Sequence, residues 1–161
     1  MPTPTRSIDV LALLVRHRVD FIVVGMTAGV LQGAPAVTFD LDVLYARAPD
    51  NVARLLEALE ELSATFRADA RGIRPNESHL LTAVHKLLST KYGLVDFLGA
   101  VDGRSYEELL EHTVTLPVES MVLEVLALEE LIVVKERAGR EKDLAVLPLL
   151  RATLARAQRR T

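Results

Sequence analysis

The chain has 161 residues, half of them hydrophobic, with 19 Lys and Arg against 22 Asp and Glu for a net charge of −3. That length suits one domain, or one domain with a small helical appendage, and the apolar share is enough for a core. The absence of cysteine excludes disulfides, thiolate metal sites and a cysteine nucleophile; no apolar run reaches membrane-spanning length, and Met1-Pro2-Thr3-Pro4-Thr5 does not read as a signal peptide, so a cytoplasmic protein with no membrane partner is expected.

Ser7 can cap a first helix whose stripe is Ile8, Leu11, Leu14 and Val15. Phe21 to Val24 is a short β-branched run that predicts a buried strand, ended by Gly25. Met26 to Gln32 is compatible with a helix, and Gly33-Ala34-Pro35 closes it with a turn. Thr38 to Tyr45 then alternates with period two, which predicts a strand with Asp40 and Asp42 on one face and Phe39, Leu41 and Val43 on the other. Two carboxylates on one face repel each other unless a cation, a proton or an arginine lies between them, and a hard divalent cation such as Mg²⁺ suits paired carboxylates.

Pro49-Asp50 opens an amphipathic helix with Val52, Leu55, Leu56, Leu59 and Leu62 inside. Thr65 to Ser78 is polar and Arg-rich and reads as a loop or weak strand, while Leu80 to Leu88 fits either strand or helix. Ser89 to Gly93 predicts a turn, followed by a buried strand, Leu94 to Leu98, that carries Asp96. A lone aspartate in an apolar strand is costly unless paired or metal-bound. Ser105 and Glu108 form a capping box for a short helix; Thr113 to Val118 and Met121 to Leu126 predict two strands. Leu128 to Ala138 and Glu141 to Ala157 predict helices separated at Gly139, the second one kinked or split at Pro148. The four histidines have no metal-ligand spacing.

Gly25-Met26, thirteen further residues and then Asp40-x-Asp42 resemble the signature of the polymerase-β-like nucleotidyltransferase superfamily, in which Gly-Gly or Gly-Ser precedes Asp-x-Asp. Met26 stands at the second small position, and Thr27 beside it carries a hydroxyl. Asp96, preceded by Tyr92-Gly93, matches the family's third carboxylate on a neighbouring strand. Leu131-Ile132-x-x-Lys135 followed by Arg140-x-Lys142-Asp143-Leu144 resembles the C-terminal part of the abortive-infection and toxin-type (type IV toxin–antitoxin) nucleotidyltransferases. The resemblance runs from about Phe21 to Leu150.

The resemblance implies an α/β (α+β) fold: a mixed, mostly antiparallel sheet flanked by helices, with a C-terminal helical segment. The expected division is a core over 1–126 and C-terminal helices over 127–161 packed on it as one compact unit. It also implies transfer of a nucleoside monophosphate from a nucleoside triphosphate to a hydroxyl on an RNA end (tRNA or another RNA), a protein or a small molecule. Asp40, Asp42 and Asp96 would be catalytic and hold two Mg²⁺ ions, Gly25, Met26 and Thr27 would meet the nucleotide phosphates, and Lys135 would meet the triphosphate. An antitoxin protein is an implied partner. From Lys135 onward eight Lys and Arg face three carboxylates, so this arm is +5 and the rest of the chain −8; such an arm suits a polyanionic acceptor or a solvated helix face. A non-catalytic binding module on the same fold, and an unrelated α/β protein with structural carboxylates, stay open beside the enzyme.

Overall fold

The computed structural model describes residues 3–160; Met1 and Pro2 of the stretch weighed as a leader, and Thr161 of the basic arm, lie outside the described residues. Seven strands form one sheet: β1 (Phe21–Val24), β2 (Leu41–Tyr45), β3 (Thr65–Phe66), β4 (Lys86–Thr90), β5 (Gly93–Leu98), β6 (Thr113–Val118) and β7 (Met121–Leu126), in the spatial order β3-β4-β5-β2-β1-β7-β6. β2 runs parallel to β5 and β1 parallel to β7, and the other four pairs are antiparallel. The sheet is mixed and mostly antiparallel, as expected. Among the described residues the helices are α1 (Ser7–Arg16), α2 (Gly25–Leu31), α3 (Pro49–Glu61), α4 (Glu77–Leu80), α5 (Tyr106–Leu109), α6 (Leu128–Ala138) and α7 (Glu141–Arg159). None of them is long and apolar enough to cross a membrane.

The apolar runs become the middle of the sheet. Ile22, Val23, Val24, Leu41, Val43, Val95, Phe97 and Val125 are buried in one core cluster with Leu11, Leu14, Leu55 and Leu59 from α1 and α3 and Leu131 and Leu150 from α6 and α7. α2 packs on β1, β2 and β7 and against α6. Gly29 permits that approach: an added Cβ would lie 3.0 Å from Leu150 Cδ2 and 3.4 Å from Leu131 Cδ2. Gln32, just past α2, bridges it to the β7–α6 junction. Its Nε2 donates to Ala28 O (3.0 Å) and Leu126 O (2.8 Å), and its Oε1 accepts from Leu128 N (3.2 Å).

Several local expectations change. Ser7 is the first residue of α1 rather than its cap; Arg6 precedes the helix without a side-chain cap and pairs with Asp9 at 2.8 Å. The chain is committed to the helix one residue early because Thr5 is pinned: its backbone N–H donates to Phe39 O (3.0 Å), and its hydroxyl lies 2.8 Å from Phe39 O and 2.7 Å from Leu94 O. The ambiguous stretch from Leu80 divides between the end of α4 and β4, which starts at Lys86. Ser89 and Thr90 belong to β4, so the turn narrows to Lys91-Tyr92, closed by Tyr92 N donating to Thr90 Oγ1 at 3.1 Å. Pro148 does not split α7, which is one helix through it. The carbonyl that Pro148 leaves without a donor belongs to Leu144, an exposed residue, where water can replace the lost bond.

Asn51, fully buried in the first turn of α3, accepts from Asp20 N (2.7 Å) and donates to Asp20 O (3.0 Å) and Ala46 O (2.8 Å), tying the start of β1 to the end of β2. Replacing it by Ala removes the partners of Asp20 N and Ala46 O, while Asp20 O keeps the Ala46 N–H at 3.1 Å. Asn51→Ala is expected to cost about 2–4 kcal/mol, read as a lowered urea midpoint at unchanged slope.

Candidate active site

Two strand registers build the site. β1 is antiparallel to β2 with Val24 opposite Asp42, so the chain leaving β1 turns directly against the Asp42 side chain. Gly25 makes that turn with φ +64°, and a Cβ there would collide with the Asp42 carboxylate. Both the backbone conformation and the space demand glycine. β2 is parallel to β5 with Asp42 opposite Asp96, so both side chains emerge on the same face.

Asp40 is not part of the strand, contrary to the period-two expectation from Thr38. β2 begins at Leu41, and Asp40 occupies the bend before it. β1 ends opposite Asp42, and on the β5 side the last rung is Leu41–Val95, beyond which Thr5 bonds both Phe39 O and Leu94 O in place of a further rung. This segment is held instead by Thr5 on Phe39 O and by the Thr27 hydroxyl, which lies 3.4 Å from Asp40 O. Thr27 is buried. Its hydroxyl faces the Asp40 backbone, and it does not line the cleft described below, whereas Met26 does.

The Asp42 carboxyl is pushed up to about 7. Burial is the largest cause, followed by the charge of Asp96 and a hydrogen bond to it, with Lys135 opposing and Asp40 adding a little. The cluster has one cation within ion-pair distance among the described residues: Arg67, whose Nη2 is 2.8 Å from Asp96 Oδ1 and whose Nη1 is 4.0 Å from Asp40 Oδ2. The Arg-rich stretch gave no reason to single it out from Arg71 or Arg74.

Lys135 comes from α6 and Arg140 from the start of α7, after the left-handed Gly139 that ends α6. Both converge on Asp143, which is completely buried. Lys135 Nζ lies 3.2 Å from Asp143 Oδ1; Arg140 Nε lies 2.6 Å from Oδ2 and Arg140 Nη2 3.2 Å from Oδ1. Burial pushes the Asp143 carboxyl up, but hydrogen bonds and charge from Arg140 and Lys135 outweigh it and hold the group below the ordinary carboxylate range. Asp143 thus orients two cations, a role that its position at a helix start did not reveal.

The three aspartates and the cations meet in one cleft of about 640 Å³, lined by Met26, Asp40, Asp42, Arg67, Asp96 and Lys135, with Arg140, Lys142 and His85 on its walls. Gly25 lines an adjoining hollow that shares Asp42, Lys135 and Arg140. The donor chemistry fits a divalent cation, since Asp42 and Asp96 offer hard oxygen ligands side by side and repel each other without one. As the side chains stand, no group of three or more His, Asp or Glu among the described residues is arranged around an ion position; Arg67 reaches into the cluster instead.

No protein-family model matches the chain, and no curated protein matches it by sequence. Solved structures do. A Thermotoga maritima protein assigned as a nucleotidyltransferase (TM1012) superposes with a TM-score of 0.58 at 17% identity, over 87% of this chain and 86% of that one. The lincosamide antibiotic adenylyltransferase LnuA, solved with lincomycin bound, gives 0.64 at 13% identity over 94% and 99%. The antibiotic-resistance factor ANT(2″)-Ia gives 0.59 at 13% over 90% and 80%. At these identities the likeness is one of fold.

Asp42 has its folded-state proton affinity raised from an ordinary value of 3.8 to about 7, so its contribution to stability is complete below about pH 4 and is lost as pH rises through about 7. With a chelator present, the wild type should lose stability relative to Asp42→Asn across that window, by at most about 1.4 kcal/mol per pH unit; parallel denaturation curves for the two proteins would contradict it. Asp143→Asn leaves Lys135 and Arg140 without their counter-charge. It should cost about 2–3 kcal/mol, less than the roughly 3–5 kcal/mol of a fully buried pair because Arg140 can rehydrate, and the loss is read in the thermal midpoint.

Proposed function

From a chain with the nucleotidyltransferase fold and a cleft that opposes carboxylates to cations, we propose an enzyme that moves a nucleoside monophosphate from a nucleoside triphosphate to a hydroxyl acceptor. The observation that carries the proposal is the meeting, in one cleft, of Asp40, Asp42 and Asp96 with Lys135 and Arg140. The carboxylates would hold two Mg²⁺ ions, whose chemistry when bound would be to polarise the acceptor hydroxyl and neutralise charge on the triphosphate. Lys135, oriented by Asp143, meets the pyrophosphate as the bond from the α-phosphorus to it breaks and the bond to the acceptor oxygen forms. Arg140 adds charge on the same side. The turn at Gly25 and Met26 faces the phosphates, and Thr27 keeps the Asp40 backbone in place behind them.

The acceptor belongs to one of three classes: an RNA end such as that of tRNA, a protein hydroxyl, or a small molecule. LnuA and ANT(2″)-Ia support the small-molecule class by fold likeness, the first with lincomycin in its structure. The Leu131-to-Leu144 pattern supports a toxin-type enzyme with an antitoxin partner. The basic arm supports RNA less than its charge alone implies, because Arg151 is paired with Glu136 at 2.7 Å. A second reading, a binding module without turnover, is favoured by Met26, whose side chain lines the cleft where a small residue is usual.

Incubation with each labelled nucleoside triphosphate and Mg²⁺, together with total RNA, a protein extract or a panel of hydroxylated antibiotics, tests both. The expected result is label on one acceptor class, lost in Asp42→Asn. Magnesium-dependent triphosphate binding in calorimetry with no label transferred to any acceptor would favour the binding module, and no binding at all would reject both.

A further inference from the structure

Arg67 is built into the carboxylate cluster. It follows the short strand β3, and its backbone N–H donates to Leu87 O at 2.9 Å, one step beyond the Phe66–Leu88 rung. From there its side chain crosses β4, donating from Nη2 to Leu88 O (3.2 Å) and to Asp96 Oδ1 (2.8 Å), with Nη1 4.0 Å from Asp40 Oδ2. One guanidinium therefore spans carboxylates from two separate segments. Its fit is incomplete, since Nε is buried without a hydrogen-bond partner. A group that belonged there permanently would be expected to satisfy that donor.

We propose that Arg67 is the resident counter-ion of the cluster: it holds the seat of a divalent cation and leaves Asp96 when the cation arrives. The inference rests on the metal-dependent reading above. A divalent cation binds a carboxylate oxygen at about 2.1 Å, and at that range it repels the guanidinium and competes with it for the charge of Asp96 and Asp40. Arg67 thus does in the free protein what the metal does in the loaded one, and it taxes metal affinity by the population of the displaced conformer. The protein then favours a cation delivered together with the triphosphate over a bare ion.

The test is Mn²⁺ binding without nucleotide, followed by the electron paramagnetic resonance signal of free Mn²⁺. Arg67→Gln should bind Mn²⁺ about tenfold more tightly than the wild type, whereas Lys142→Gln, which removes a cleft charge outside the cluster, should change affinity by no more than about twofold. Arg67→Gln should also melt below the wild type with a chelator and gain more from Mn²⁺. Arg67→Lys, which keeps the charge but not the two-point reach, should fall between the two and serves if Arg67→Gln does not fold. No gain in Arg67→Gln, an equal gain in Lys142→Gln, or a gain that survives in Asp42→Asn/Arg67→Gln would overturn the proposal. If the wild type binds Mn²⁺ with ATP but Arg67→Gln gains nothing, only the role of Arg67 fails. If neither protein binds Mn²⁺ even with ATP, the metal-dependent reading fails with it.

Discussion

Asp42 and Asp96 stand opposite each other on parallel strands, and their mutual repulsion is the constraint around which the rest of the cleft is arranged. Backbone register fixes this pair on one face of the sheet. The fold meets the repulsion with a raised proton affinity at Asp42, with Arg67 on Asp96, and with Lys135 acting on Asp42 from across the cleft. A core of apolar residues on the other face of the same strands keeps the register from slipping, since a one-residue shift would bury the carboxylates and expose Leu41, Val43, Val95 and Phe97. Stability of the sheet and tension at the site come from the same alternation.

The cationic side of the cleft is organised on a different principle. Asp143 is surrendered completely to the interior so that Lys135 and Arg140 can be held in place. A lysine on a free surface samples many rotamers, and ordering it at a ligand's arrival costs entropy. Here that ordering is done in the folded protein before any ligand binds, as electrostatic preorganisation requires.

The legible parts were those that one strand or helix encodes by itself. Asp42 and Asp96 stood out because each interrupts an apolar run with period-two neighbours, and the capping box at Ser105 and Glu108 is a local pattern that the structure forms with both of its hydrogen bonds. Asp40 was placed in the strand because alternation continues through Thr38, but β1 had already turned away at Gly25, and on the β5 side Thr5 takes the bonds that a further rung would use. Asp143 looked like an ordinary first-turn carboxylate because its burial depends on how α6 and α7 meet. Arg67 was invisible for a similar reason: Arg71 lies in the same polar stretch and turns back to Asp69 at 2.9 Å, and nothing local distinguishes the two. Pairing across β3, β4 and β5 makes the difference, and β3 has only two residues to announce it.

Gln32 has a mechanical consequence. By bonding Ala28 and Leu126 through its amide nitrogen and Leu128 through its oxygen, it rivets the end of α2 to the start of α6. Met26 rides on α2 and Lys135 on α6, so the two sides of the cleft that they represent cannot hinge apart independently. The opposite wall is tied more lightly: His85 and Leu87 are exposed there, and Arg67 is anchored beside a two-residue strand at the sheet's edge. The cleft thus has one wall riveted helix to helix and one held at a sheet edge, and the edge wall is the one that carries the guanidinium.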